Sequence, residues 1–297
     1  MERNTLLENV FTLSNHFMNE ANDVRINWNK VSLTALKIKC SDKPTTDFPF
    51  LRNPDDEARE CTTQLIINSI NYCFWYGRFD FRPNGCSSFK LHETVKKIYD
   101  EFHPSCISRN SEFSLEFMNL IMLQLTIGRF PLLEKRKKHL EELILVGKDI
   151  IDLVIGHTDN TCDFSYIFTK FVLSFPGYAS DMFLKRASLF FLMLYRKLGW
   201  FENDLWQLPV PADYQVPKIL YYLDCLEYSP YLKDKITFQK LIPKHSRVEC
   251  EIRAATVLVC QKLVEETGWN ISDIDWWLWT KRHEHQEPFH LTITTDY

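Results

Sequence analysis

Apolar residues return at helical spacing in one segment after another along this chain, and only 8 of its 297 residues are glycine. Leu6, Leu7, Val10, Phe11 and Leu13 fall close together on one helical face, as do Leu65, Ile66, Ile70, Cys73 and Phe74. The pattern continues over Leu115 to Leu125, Pro131 to about Val146, Lys148 to Ile155, Asp163 to Leu173, Ser180 to Leu198, Ile219 to Leu226 and Glu249 to Glu266. A repeat near 3.6 residues turns one stripe of each segment toward a common core. This predicts a mainly α fold: one compact helical domain over residues 1–297, divisible into sub-lobes at about 1–175 and 176–297. At most a few short strands are expected near the N-terminus, where Val24 to Trp28 alternates. Ser41 to Glu60, Phe79 to Ser88 and Phe175-Pro-Gly-Tyr178 read as loops or breaks. Tyr228 to Lys235 reads as a turn and a short helix, and Pro288 to Tyr297 as an extended tail.

Hydrophobic residues make up 45% of the chain and aromatics 14%, enough for a sizeable core. A net charge of −4 argues against a long nucleic-acid track, which needs excess Lys and Arg. Nine cysteines, odd in number and without a CxxC pair, fit free and mostly buried thiols in a reducing compartment. The start Met1-Glu2-Arg3-Asn4 has no signal-peptide core. The longest apolar run, Ala187 to Tyr195, falls short of the ~20 residues a bilayer needs. The expectation is a cytoplasmic, soluble monomer without a membrane partner. No Walker loop, Gly-x-Gly-x-x-Gly or Gly-x-Ser-x-Gly is present, and His283-Glu-His285 is not the HExxH zinc signature, because position 287 is Glu. Neither cofactor nor metal is expected.

Three places carry residues able to do chemistry. Asp213 sits in Pro211-Ala-Asp-Tyr-Gln-Val-Pro-Lys218, just ahead of a helix start that Pro217 suits. Unpaired N–H groups and the helix dipole favour an anion there. Such a carboxylate either serves those N–H groups or faces a cationic transition state. Lys185 and Arg186 adjoin at the head of an apolar helix, about 100° apart around it, so at least one turns inward. Trp276, Trp277 and Trp279 form either a wall for a flat ligand or core packing. Asp275 closes Ser272-Asp-Ile-Asp275, a helix-start pattern that could absorb it as a cap. Ser246-Arg-Val-Glu249 matches a capping box. Lys135-Arg-Lys-Lys138 reads as a solvated face, and Glu251 with Arg253 as an ion pair.

Six segments, in order, resemble one family: Asn71-Tyr-Cys-Phe-Trp75, Phe130-Pro-Leu-Leu-Glu134, Phe183-Leu-Lys-Arg-Ala187, Ala212-Asp-Tyr-Gln-Val-Pro217, Glu249-Cys-Glu-Ile-Arg253 and Ile274-Asp-Trp-Trp-Leu-Trp279. Together they look like the queuosine salvage proteins, queuosine 5'-phosphate N-glycosylase/hydrolases, along nearly the whole chain. The resemblance implies a helical architecture like that of helix-hairpin-helix DNA glycosylases, and hydrolysis of queuosine 5'-monophosphate to free queuine. The partner implied is that small-molecule nucleotide, without a stable nucleic-acid complex. The resemblance also implies Asp213 as catalytic carboxylate with Lys185 beside it. Substrate contacts are expected from Phe50, Tyr214, Asp275, Trp276, Trp279, Thr280, Lys281 and Glu284. The chain departs from the family in having Gln215 for Arg, Pro211 for an aromatic, Thr280 for Asp and Phe50 for His. Left open by the residues alone are a non-catalytic nucleoside- or RNA-binding module and a glycosylase for another modified nucleotide.

Overall fold

A computed structural model describes residues 5–44, 57–75, 86–102, 113–158, 163–285 and 288–297. The described chain is mainly α. Its N-terminal elements are α1 (Leu6–Asn19), β1 (Val24–Ile26), α2 (Trp28–Lys39), α3 (Glu57–Ser69), α4 (Ser88–Phe102), α5 (Leu115–Ile127) and α6 (Leu133–Ile155). These are followed by α7 (Phe164–Ser174), α8 (Pro176–Ala179), α9 (Lys185–Leu198), α10 (Gln215–Tyr222), β2 (Leu226–Tyr228), α11 (Pro230–Thr237), α12 (Arg247–Thr267) and α13 (Ile271–Thr280). No helix among the described residues is long and apolar enough to cross a membrane.

Two buried helices organise the packing. α12 lies against α1, α2, α10, α13 and β1, while α3 lies against α4, α6 and α9. From Glu60 to Ser69 every residue of α3 is buried, so its face toward α9 carries no solvent-exposed stripe. Local sequence sets the ends. Thr5 Oγ1 accepts from Glu8 N at 3.2 Å while Glu8 Oε2 accepts from Thr5 N at 2.7 Å, a reciprocal cap for α1. Ser246 Oγ accepts from Glu249 N, and Gly268 at φ 72° closes α12 in the left-handed conformation glycine tolerates. The Glu249 carboxylate turns to His245 N at 3.0 Å instead of closing the box on Ser246.

Several expectations change. The alternating stretch after α1 stops at Ile26, because Asn27 caps a new helix, its side chain accepting from Lys30 N. β1 pairs antiparallel with β2, a strand from the C-terminal half, in the register Val24↔Tyr228. α10 spans Gln215–Tyr222, so Leu226 belongs to that strand and not to a helix. α6 runs unbroken through Gly147, whose missing side chain makes room for the Phe113 ring. α9 starts at Lys185, five residues later than the periodicity suggests, after Leu184 at φ 55°.

Three charge assignments are corrected too. Arg136 is wholly buried while its Lys neighbours stay outside. It donates to Pro131 O at 2.8 Å and Cys73 O at 3.1 Å, and also to Ile70 O and Tyr72 O. Glu251 and Arg253 do not pair. Glu251 accepts from the N–H groups of Asn22, Asp23 and Val24, and Arg253 meets Asp181. The Ser272–Asp275 box also fails: Asn270 caps α13 by accepting from Asp273 N at 2.9 Å.

Candidate active site

The loop before α10 delivers Asp213. Its Oδ1 accepts from Gln215 N at 2.7 Å and Val216 N at 3.0 Å, the first amides of that helix. Oδ2 has no hydrogen-bond partner among the described residues. The helix start therefore fixes the carboxylate through one oxygen and leaves the other for the cavity that Asp213 lines.

Lys185 reaches the same cavity from the first position of α9. Its Nζ donates to Asn71 O at 3.2 Å. Lys185 and Asp213 owe their mutual placement to a fully buried ion pair. Arg253 meets Asp181 through two bonds, Nη1 to Oδ1 at 2.8 Å and Nη2 to Oδ2 at 3.0 Å. Asp181 also accepts from Phe183 N at 3.0 Å and Lys185 N at 2.8 Å, which fixes the head of α9. Arg253 Nε donates to Ala212 O at 3.0 Å, which fixes the residue before Asp213. One bidentate pair thus ties both segments to α12.

The cavity holds about 200 Å³ and lies between α4, α9 and the segment after α3 on one side and α13 on the other. Trp276 and Trp279 stack with centroids 5.3 Å apart, and Phe89 meets Trp279 edge-on at 5.0 Å. Arg196 lies over Trp276, 4.6 Å from its centroid, and Arg282 over Trp279 at 3.1 Å. Tyr214 stacks on Phe289. Among the described lining residues, Lys185, Arg196 and Arg282 outnumber the carboxylates Asp213 and Asp275. An anionic ligand carrying a flat ring suits such a cavity.

The charges act on one another. Burial pulls the Lys185 ammonium down to about 8, Asp213, Asp275 and Asp181 pull it back up, and Arg186 lowers it further. Burial and then the like charge of Asp213 push the Asp275 carboxyl up to about 7, against Arg196 and Lys185. Lys185 forms no direct ion pair with Asp213 or Asp275, so each is left to meet a ligand. Among the described residues no group of three or more His, Cys, Asp or Glu could hold a metal ion.

The structure brings together Asp213, Lys185, Tyr214, Asp275, Trp276 and Trp279. It does not bring Thr280, Lys281 or Glu284 to the cavity wall. Thr280 is exposed and bonds back to Trp277 O, while Lys281 and Glu284 pair with each other at 3.1 Å. Trp277 faces away, donating to Ser41 Oγ at 3.0 Å. Phe50 lies outside the described residues. Arg196, Phe89, His92 and Arg282 also line the cavity, where the sequence reading does not place them, and Asn71 does so from a segment quoted only for its family resemblance. Arg196 was within reach: Lys185, Leu189, Leu192, Met193 and Arg196 follow an i, i+4, i+7, i+8, i+11 series down one face of α9. Phe89 and His92 give no such signal, because the turn-rich link before α4 hides the start of that helix.

Comparison with known proteins yields one consistent likeness. The family described as "Queuosine salvage protein" matches residues 180–297, the part that supplies Lys185, Asp213 and Asp275. A Dictyostelium discoideum protein named queuosine 5'-phosphate N-glycosylase/hydrolase is 27% identical, over 83% of this chain and 82% of its own. Proteins of the same name from Sphaerobacter thermophilus and Mus musculus are each 28% identical. They cover 78% and 77% of this chain, and 80% and 79% of their own.

Proposed function

We propose that this chain, which is similar to the queuosine salvage proteins along most of its length, hydrolyses the N-glycosidic bond of queuosine 5'-monophosphate and releases queuine. The observation that carries the reading is the meeting of Asp213, Lys185 and Asp275 around one cavity walled by Trp276 and Trp279.

The C1′–N bond breaks with its electron pair leaving on the base, so positive charge builds on the sugar. The free oxygen of Asp213 stands ready to stabilise that charge and to orient the water that attacks C1′. Lys185, whose backbone is set by Asp181, supplies a cation that keeps the carboxylate from repelling the phosphate-bearing substrate. Asp275 gives the departing ring nitrogen a proton and the attacking water gives one to the Asp213 carboxylate, so the products are queuine and the sugar phosphate, and proton exchange with solvent restores both acids. An acid held near neutrality is suited to that transfer. The tryptophan pair holds the flat base, and a tryptophan face also attracts the secondary ammonium of queuine.

The reading carries with it a cytoplasmic monomer that meets its substrate as a free nucleotide. Six of the seven described cysteines are buried, which supports a reducing compartment. Incubation with queuosine 5'-monophosphate followed by mass spectrometry tests the function. Free queuine is expected at a rate that scales with protein concentration; intact nucleotide after prolonged incubation overturns the reading.

A further inference from the structure

A line of buried polar side chains runs along α3 and ends at the cavity. Gln64 Nε2 donates to Glu60 Oε1 at 2.9 Å. Asn68 Nδ2 donates to Gln64 O at 2.9 Å and to Gln64 Oε1 at 3.4 Å. Asn71 Nδ2 donates to Asn68 Oδ1 at 3.4 Å. All four residues are buried, and Asn71 lines the cavity. Three buried polar side chains in a helix that packs against α4, α6 and α9, and a fourth just past its end, are expensive unless each is satisfied.

The direction of this line is dictated, not chosen. A carboxylate only accepts, so Gln64 must turn its NH2 group toward Glu60. A backbone carbonyl only accepts, so Asn68 must turn its NH2 group toward Gln64 O. Asn68 Oδ1 then faces the other way and can only accept, which leaves Asn71 to offer its NH2 group there. Asn71 O is already taken by Lys185 Nζ. What remains is Asn71 Oδ1, which has no protein partner among the described residues.

We infer that Asn71 is a specificity-determining residue whose Oδ1 accepts a hydrogen bond from the bound nucleotide, and that Asn68, Gln64 and Glu60 are positioning residues that fix this polarity. The inference rests on the nucleotide reading of the cavity above. The group recognised is a donor, either a ribose hydroxyl or a base N–H. A site that presents a fixed acceptor rejects a ligand lacking the donor, because the acceptor is then left unpaired.

Tryptophan fluorescence tests it, since Trp276 and Trp279 line the cavity and binding can be followed without turnover. Queuosine 5'-monophosphate, queuine and ribose 5-phosphate are titrated into the wild type, N71L, N68L and N68D, with thermal unfolding run on each. N71L should bind the nucleotide at least tenfold more weakly. N68L should bind it three- to tenfold more weakly, and N68D, which keeps an acceptor facing Asn71, within about twofold of wild type. Loss of affinity for queuine in N71L assigns the donor to the base, and loss for ribose 5-phosphate assigns it to the sugar. Wild-type affinity in N71L, or equal weakening in N68L and N68D, overturns the inference; a purely structural role would lower the unfolding temperature of both without separating them. Should N68L fail to fold, the contrast between N71L and N68D decides. Tight binding without release of queuine would count against the hydrolytic reading alone, and absence of wild-type binding would overturn both.

Discussion

Asp213 and Asp275 are two carboxylates in one cavity with different surroundings. Asp213 is held by two amides at a helix start, whereas Asp275 is half-buried, and desolvation with the like charge of Asp213 drives it up to about 7. An acid must hold its proton to give it, so the proposed role of Asp275 fails as pH rises through about 7. Lys185, lowered to about 8 chiefly by burial, loses its charge only slightly later. The expected kcat/KM therefore descends between about pH 7 and 8. Asp275→Asn should lose roughly a hundredfold in kcat, within the range for one general acid, and remove the lower inflection. Measuring kcat/KM from pH 5 to 9 for both proteins checks this; an unchanged descending limb in the variant would assign it elsewhere.

The helices show what a sequence discloses and what it conceals. Strong 3.6-residue periodicity made α5, α7 and α12 legible nearly to their ends. α2 stayed hidden because an alternating stretch led into it, and α4 because a turn-rich link obscured its start. Buried charge is the larger blind spot. Arg136 reads as part of a solvated face, yet it is inside, as are Arg186 and Arg253, and the three are held by carbonyl oxygens or by Asp181. Their partners lie far along the chain, so no local pattern announces them. The cavity lining is legible at two helix starts, Asp213 and Lys185, and illegible where a wall assembles from α4, α9 and the segment after α3. α6 offers a test at this scale. A methyl group on Gly147 would come within 2.3 Å of the Phe113 ring. Overpacking should outweigh the helix-propensity gain, so Gly147→Ala is expected to lose about 1–2 kcal/mol. Urea unfolding checks this, and a more stable variant would mean Phe113 packs elsewhere.

Across the whole molecule the buried ionisable groups tie stability to pH. Burial lowers His92 to about 4, and His139 and His290 to about 3. Each stays neutral in the fold but takes up a proton near 6.5 once unfolded. Protons therefore favour the unfolded chain as pH falls below about 6.5 toward 3. Asp181 adds to this at the acid end. Burial pushes it up, but Arg253 and the N–H donors of Phe183 and Lys185 more than offset that, leaving it below its ordinary value. Its contribution is present above the ordinary carboxylate value and lost as pH falls through the depressed one. Thermal midpoints should thus fall steadily from about pH 6.5 downward, and a flat profile between pH 7 and 4 would contradict the burial described. Because Asp181 and Arg253 tie α9 and the Asp213 loop to α12, the same acid range should loosen the site before the rest of the core.

The most direct measurement of the central claim is single-turnover release of queuine from queuosine 5'-monophosphate by the wild type and by Asp213→Asn. The account predicts rapid release by the wild type. In the variant it predicts a fall of at least a hundredfold, with the unfolding midpoint nearly unchanged, because an asparagine oxygen can still accept from Gln215 N and Val216 N. Release at the wild-type rate by Asp213→Asn would contradict it.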